Sequence, residues 1–256
     1  MLGAVIGDVV GSRYEFNNIK TKVFELFGKG CYATDDTVMT CAVAEVLINK
    51  KQNDKDYIID TLKKWGKRYP QAGYGGHFGC WVLGNEREPY NSYGNGAAMR
   101  VSAVGWIAES EEEVKDLSRR VTEVTHNHPE GIKGAEVVAM CIYYAKQGKD
   151  KAFIKEYVEK YYNLDFDYND LRKTYIHAEE ICQNTVPQAI FCFLISDSFE
   201  DCLRTTISIG GDCDTTAAIS CAIAEAYYGG CGCCEKEVLD YLTSDMKNIL
   251  KKVKTR

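Results

Sequence analysis

Ala217-Ala-Ile-Ser-Cys-Ala-Ile-Ala-Glu-Ala226 is apolar on nearly every side of a helical wheel. A helix without a polar face belongs at the centre of a packed bundle, surrounded by other helices. Outward from it, helical periodicity returns. Residues 35–50 place Val38, Ala42, Val46 and Met39, Val43, Leu47 at four-residue intervals, as one buried helix face would. Residues 54–68 open with Asp54 and set Ile58, Leu62 and Trp65 on one side. Residues 110–125 begin with Ser110 and Glu113, a capping-box pattern, ahead of Val114, Leu117, Val121 and Val124. Residues 133–147, 151–162, 187–195, 215–228 and 235–253 also read as helical. No βαβ alternation, linker or repeat interrupts them. The pattern predicts an all-α chain, a single compact orthogonal helical domain over residues 1–256, with short strands near 20–27 as the one addition it admits.

Composition narrows the function classes. An apolar share of 45% in 256 residues supplies an ample core, and a net charge of −6 gives no basic footprint for general nucleic-acid binding. Lys247, Lys251, Lys252, Lys254 and Arg256 gather near the C-terminus at helical spacing and read as a solvated face. Residues 1–10 lack a basic start and are interrupted by Asp8, so they are not a signal peptide. No apolar run approaches the ~20 residues that span a bilayer. Twelve cysteines without a secretory signal point to reduced thiols and a cytoplasmic location. Cys231-Gly-Cys233-Cys234 lacks the second pair or nearby histidine that zinc requires.

Two acidic clusters open helical segments: Ala33-Thr-Asp-Asp-Thr37 and Gly210-Gly-Asp-Cys-Asp-Thr-Thr216. Short carboxylate and hydroxyl side chains suit a hard cation such as Mg²⁺ or Mn²⁺. Taken singly, each cluster reads as an ordinary N-cap. Together they carry four carboxylates, which repel one another unless a cation neutralises them. Asp212 and Asp214 alternate across Cys213, so an extended loop turns both toward one side. Thr34, Thr37 and Thr215 add neutral oxygens. The stretches Gly73-Tyr-Gly-Gly-His-Phe-Gly79 and Tyr93-Gly-Asn-Gly96 are too glycine-rich for helix interiors, and their exposed amides suit a phosphate. Gly3, Gly7 and Gly11 recur every fourth residue, which fits close helix packing and not a GxGxxG fingerprint. Asp165-Phe-Asp-Tyr-Asn169 opens like a calcium loop but has Asp170 where glycine belongs and Ile176 where glutamate belongs.

In order and spacing, Gly3-Ala-Val-Ile-Gly-Asp8, Gly11-Ser-Arg-Tyr-Glu-Phe16, Thr34-Asp-Asp-Thr37, Tyr93-Gly-Asn-Gly-Ala-Ala-Met-Arg100, Thr125-His126 and Gly210-Gly-Asp-Cys-Asp-Thr215 resemble the ADP-ribosylglycohydrolases. The resemblance implies an all-α fold with two Mg²⁺, or Mn²⁺, at the base of a cleft. Their ligands would be Thr34, Asp35, Asp36, Asp212, Asp214 and Thr215. Substrate contacts would come from Ser92, Tyr93, the amides of Gly94, Asn95 and Gly96, and His126. Residues 75–79 would line the cleft, and Arg100 would steady the loop or meet a phosphate. Glu15, or Asp36 or Asp212 of the metal shell, would transfer the proton. The implied reaction is hydrolysis at C1″ of the distal ribose through an oxocarbenium-like state, releasing ADP-ribose from a modified protein or a small-molecule conjugate. A non-enzymatic ADP-ribose-binding homologue and another metal-dependent hydrolase of ADP-ribose conjugates are the alternatives. Residues 70–92 and 160–186 are the expected seat of acceptor specificity.

Overall fold

Gly3, Gly7 and Gly11 form one edge of the first helix, and nothing larger fits there. In the computed structural model, which describes residues 1–176 and 180–254, a Cβ at Gly3 or Gly7 would stand 2.2 Å from the carbonyl oxygen of Cys221 or Ala217. A Cβ at Gly11 would stand 2.4 Å from Asp214 Cα. The helix therefore lies backbone to backbone against the apolar segment around Ala217–Ala226. This contact sets the distance between Asp8 on one helix and Asp214 on the other.

Helix α1 (Leu2–Gly11) is followed by α2 (Asp35–Ile48), α3 (Lys55–Arg68), α4 (Gly76–Leu83), and the short α5 (Gly96–Met99) and α6 (Ser102–Ile107). Next come α7 (Glu111–Glu123), α8 (Pro129–Lys146), α9 (Lys151–Glu159), α10 (Tyr168–Thr174) and α11 (Cys182–Leu194). The chain continues with α12 (Phe199–Ile209), α13 (Cys213–Tyr228), α14 (Cys234–Glu237), a 3-10 turn at Val238–Tyr241 and α15 (Ser244–Lys254). Among the described residues there is no strand. The one sheet-like pairing is an isolated bridge between Gly94 and Ile181, and residues 20–27 are irregular chain. The central helix is α13, buried continuously from Cys213 to Ala224 and packed by α1, α8, α11 and α12. The main apolar core draws on residues from Met1 to Ile249, and Leu171, Phe191, Cys192 and Ile209 form a small second cluster. Among the described residues no helix is long and apolar enough to cross a membrane.

Local chemistry sets the helix starts. Asp54, Ser110, Asp150, Asp167 and Ser198 each accept a hydrogen bond from a first-turn N–H, caps worth about 1 kcal/mol apiece. Several boundaries differ from the periodicity. The glycine stretch expected as a loop enters α4 at Gly76, because Phe78, Trp81 and Val82 share a buried face there. Helix α11 begins at Cys182 and holds Pro187 inside it. The segment 235–253 is broken where Leu242 takes an extended conformation. Helices α5, α6, α10 and α12 were not anticipated.

Candidate active site

Asp8 is fully buried on α1 and organises the start of α2. Its carboxylate accepts from Thr34 N at 3.0 Å, Thr34 Oγ1 at 2.7 Å, Thr37 N at 3.0 Å and the Thr37 hydroxyl. One helix thus caps another through a single acid, and Thr34, Asp35 and Asp36 are held at the base of a cleft. Sequence reasoning gave Asp8 no role. Its only local signal was an acid standing alone in an apolar run. Burial pushes its carboxyl up to about 6.

The second acidic cluster is aimed by a glycine turn. Gly210 and Gly211 both have positive φ, +78° and +70°, a conformation that side chains resist, and the chain leaves them directly into α13. Asp214 is the hinge of the arrangement. One oxygen each from Asp8, Asp36 and Asp214 lie within 4.8 Å of one another, and so do oxygens from Glu15, Asp212 and Asp214. Asp36 Oδ2 accepts from Thr215 Oγ1 at 3.0 Å and lies 3.3 Å from Thr34 Oγ1, while its Oδ1 is buried without a partner. Burial first, then the neighbouring acids, pushes Asp35, Asp36 and Asp214 well above the usual carboxylate range. Asp35 lines the same cleft but stands outside both triads. Its N–H donates to Ala72 O at 2.8 Å, which ties α2 to the glycine segment before α4.

The cleft is a cavity of about 260 Å³. Its lining includes Glu15, Thr34, Asp35, Asp36, Asp212, Asp214 and Thr215 together with Ser92, Gly94, Asn95, Gly96 and His126. Gly75, Gly76, His77 and Phe78 contribute as well. Tyr93 is not on this lining. Its ring packs on His128 with centroids 5.0 Å apart, and it is 44% exposed. Two of the three loop amides are used within the protein. Gly94 N donates to Ser92 Oγ at 3.1 Å, and Asn95 N donates to Glu180 O at 2.9 Å. Asn95 instead acts through its side chain, whose Nδ2 donates to Asp212 Oδ2 at 2.6 Å and Thr185 Oγ1 at 3.1 Å.

Glu15 is half-buried on the loop after α1. Asn18 pins that loop to the second acidic cluster: its Nδ2 donates to Tyr14 O, Glu15 O and Gly211 O at 2.8–2.9 Å, and its Oδ1 accepts from Gly211 N at 2.8 Å. Asn18 is a second residue that sequence reasoning missed, since the partner that gives it meaning lies 193 residues away.

Residues 1–243 match the family model described as ADP-ribosylglycohydrolase. The chain belongs to this family. ADP-ribosylhydrolase ARH3 of Homo sapiens is 28% identical over an alignment covering 90% of this chain and 84% of that protein. The ADP-ribosyl-[dinitrogen reductase] glycohydrolase of Rhodospirillum rubrum is 26% identical, covering 89% and 84%. ADP-ribosylarginine hydrolase Tri1 of Serratia proteamaculans is 23% identical, covering 90% and 70%. A solved ADP-ribosylglycohydrolase-related protein complex aligns with a TM-score of 0.70 at 22% identity, covering 98% of this chain and 94% of that one, and shares the all-α fold. This ADP-ribosylglycohydrolase also carries a donor set suited to a divalent metal. Burial, and then the neighbouring acids, raises the Asp36 and Asp214 carboxyls, Asp36 Oδ1 is buried and unpaired, and the donors are hard oxygens.

Proposed function

We propose that this chain, as one domain over residues 1–256, hydrolyses the glycosidic bond at C1″ of an ADP-ribosyl group and frees ADP-ribose from a modified protein or small-molecule acceptor. The supporting observation is that the acidic starts of α2 and α13 meet at one cleft, which a glycine loop and His126 also line. Thr34, Asp35, Asp36, Asp212, Asp214 and Thr215 would hold two Mg²⁺, with Mn²⁺ as substitute. Such cations, when bound, neutralise the crowded carboxylates and act as Lewis acids toward sugar hydroxyls and water.

The protein's own groups divide the remaining work. Asp36 is engaged by Thr215, and Asp212 by Asn95, so each carboxyl group is held in one orientation. Glu15, half-buried at the cleft on a loop, takes the proton from the attacking water and returns it to the departing acceptor atom. The carboxylates around it favour positive charge developing on the distal ribose as the C1″ bond loosens. Gly96 and His126, on the lining of the same cleft, orient the phosphate-bearing part of the substrate.

Reaction in H₂¹⁸O with ADP-ribosyl-arginine and ADP-ribosyl-serine peptides tests this reading by mass spectrometry. The expected product is ADP-ribose carrying one ¹⁸O on the distal ribose, with Glu15→Gln lowering kcat far more than it changes KM. Label in phosphate would identify a phosphoester hydrolase instead. Bound ADP-ribose without turnover would identify a binding homologue.

A further inference from the structure

Arg100 closes α5 with none of its surface exposed. Its partners are neutral. Nη2 donates to Thr125 Oγ1 at 2.7 Å and approaches the Val121 and Thr122 carbonyl oxygens at 3.4 Å and His126 Nδ1 at 3.5 Å. Nε is buried without a partner, and the guanidinium lies 5.6 Å from the centre of the Phe78 ring. A buried cation without a counter-ion is costly, and burial pushes Arg100 down to about 10. It remains charged at neutral pH, and both Arg100 and His126 line the cleft.

This charge has a consequence for His126. A guanidinium only donates hydrogen bonds, so a proton on His126 Nδ1 would face another N–H. An unprotonated Nδ1 instead accepts from Arg100 and from the Thr125 hydroxyl, 2.8 Å away. Arg100 approaches Oγ1 as a donor, and His126 Nδ1 lies nearer to the hydroxyl than its other acceptor, Thr122 O at 3.5 Å, so the proton goes to the imidazole. Burial, and then the Arg100 charge, holds His126 well below its ordinary pKa, so the ring is neutral and carries its proton on Nε2. That nitrogen faces the glycine loop. A Cβ at Gly96 or Gly94 would stand 3.3 or 3.6 Å from it.

We infer that Arg100 is a positioning residue that fixes His126 as the neutral Nε2–H tautomer, so that His126 donates from the cleft wall to an anionic oxygen of the ligand beside Gly94–Gly96. The ligand's identity rests on the ADP-ribosyl reading; the state of the imidazole does not. The residual charge of Arg100, unmatched by any acid in its contacts, draws the same anionic group.

Long-range ¹H–¹⁵N spectra test the inference, and four histidines keep them simple. His126→Gln assigns the signals. The wild-type protein should show the Nε2–H pattern for His126 at pH 7; an Nδ1–H pattern or an imidazolium would overturn the inference. Arg100→Met should mix the tautomers and weaken ADP-ribose binding about tenfold or more, and Arg100→Lys should restore part of both. A folded Arg100→Met protein with unchanged tautomer and affinity would also overturn it. If Arg100→Met does not fold, the wild-type spectrum still decides the tautomer. Wild-type protein that shows the Nε2–H pattern but fails to bind ADP-ribose would refute the functional reading and the ligand contact, leaving the tautomer assignment intact.

Discussion

Gly7→Ala adds one methyl group where two helices touch. Its Cβ would stand 2.2 Å from Ala217 O, 2.3 Å from Ala217 C and 2.6 Å from Ala218 N. All three are backbone atoms of the buried central helix, so no side chain can swing aside. Ordinary contact begins at 3.4 Å, and α1 must therefore move from α13 by about 1 Å. Overpacking costs typically 1–3 kcal/mol and occasionally more, and about 3–4 kcal/mol here, where only backbone can shift. Alanine's better helix propensity returns up to about 1 kcal/mol. A net loss of about 2–3 kcal/mol corresponds to a fall of roughly 5–10 °C in Tm for a chain of this size. Asp8 and Asp214 ride on the two separated helices, so Mg²⁺ affinity should fall too. Gly79→Ala is the control, since its Cβ would meet the Tyr74 side chain at an ordinary 3.5 Å; its Tm should be unchanged or slightly higher. Circular-dichroism melts with and without Mg²⁺ read both effects. A Gly7→Ala protein with the melting temperature and Mg²⁺ response of wild type would refute the claim that this glycine seam spaces the acidic clusters.

Further outcomes follow from the same geometry. A carboxyl raised by folding contributes stability below its unfolded pKa near 4 and loses it as pH climbs through the folded value. With Asp8 at about 6 and Asp35, Asp36 and Asp214 well above their usual range, metal-free protein should melt lower at pH 8 than at pH 5. Mg²⁺ should then raise Tm more at pH 8, and equal shifts at both pH values would contradict this. Asn95→Ala removes the donor 2.6 Å from Asp212 Oδ2; steady-state kinetics and metal titration should show a loss of about 10–100-fold in activity or metal affinity. Of the twelve cysteines, only Cys80 and Cys233 are exposed. A thiol reagent should therefore modify two sites quickly in native protein and reach the others after unfolding.

The parts of this architecture that rest on local chemistry were legible in the sequence. Helices α3 and α7 carry their caps, Asp54 and Ser110, beside their apolar periodicity, and α13 declares its central place by lacking a polar face. Helix α12 carried an equally readable start, since Ser198 accepts from Asp201 N, and was overlooked. Gly76 and Gly79, inside α4, misled for a different reason: glycine disfavours helix, but burial of Phe78, Trp81 and Val82 outweighs that preference. Nonlocal hydrogen bonds were not readable at all. Asp8 gains its role from Thr34 and Thr37, 26 and 29 residues on. The amides of Gly94 and Asn95 looked open to a phosphate, but Ser92 Oγ and Glu180 O occupy them.

The most direct test of the central claim is release of ADP-ribose from arginine- and serine-linked ADP-ribosyl peptides, measured for wild type and Asp212→Asn with Mg²⁺ and with chelator. The account predicts release from at least one linkage that requires the metal and disappears in the variant. Release that survives both chelator and Asp212→Asn, or its absence on both linkages with folded, Mg²⁺-loaded wild-type protein, would contradict it.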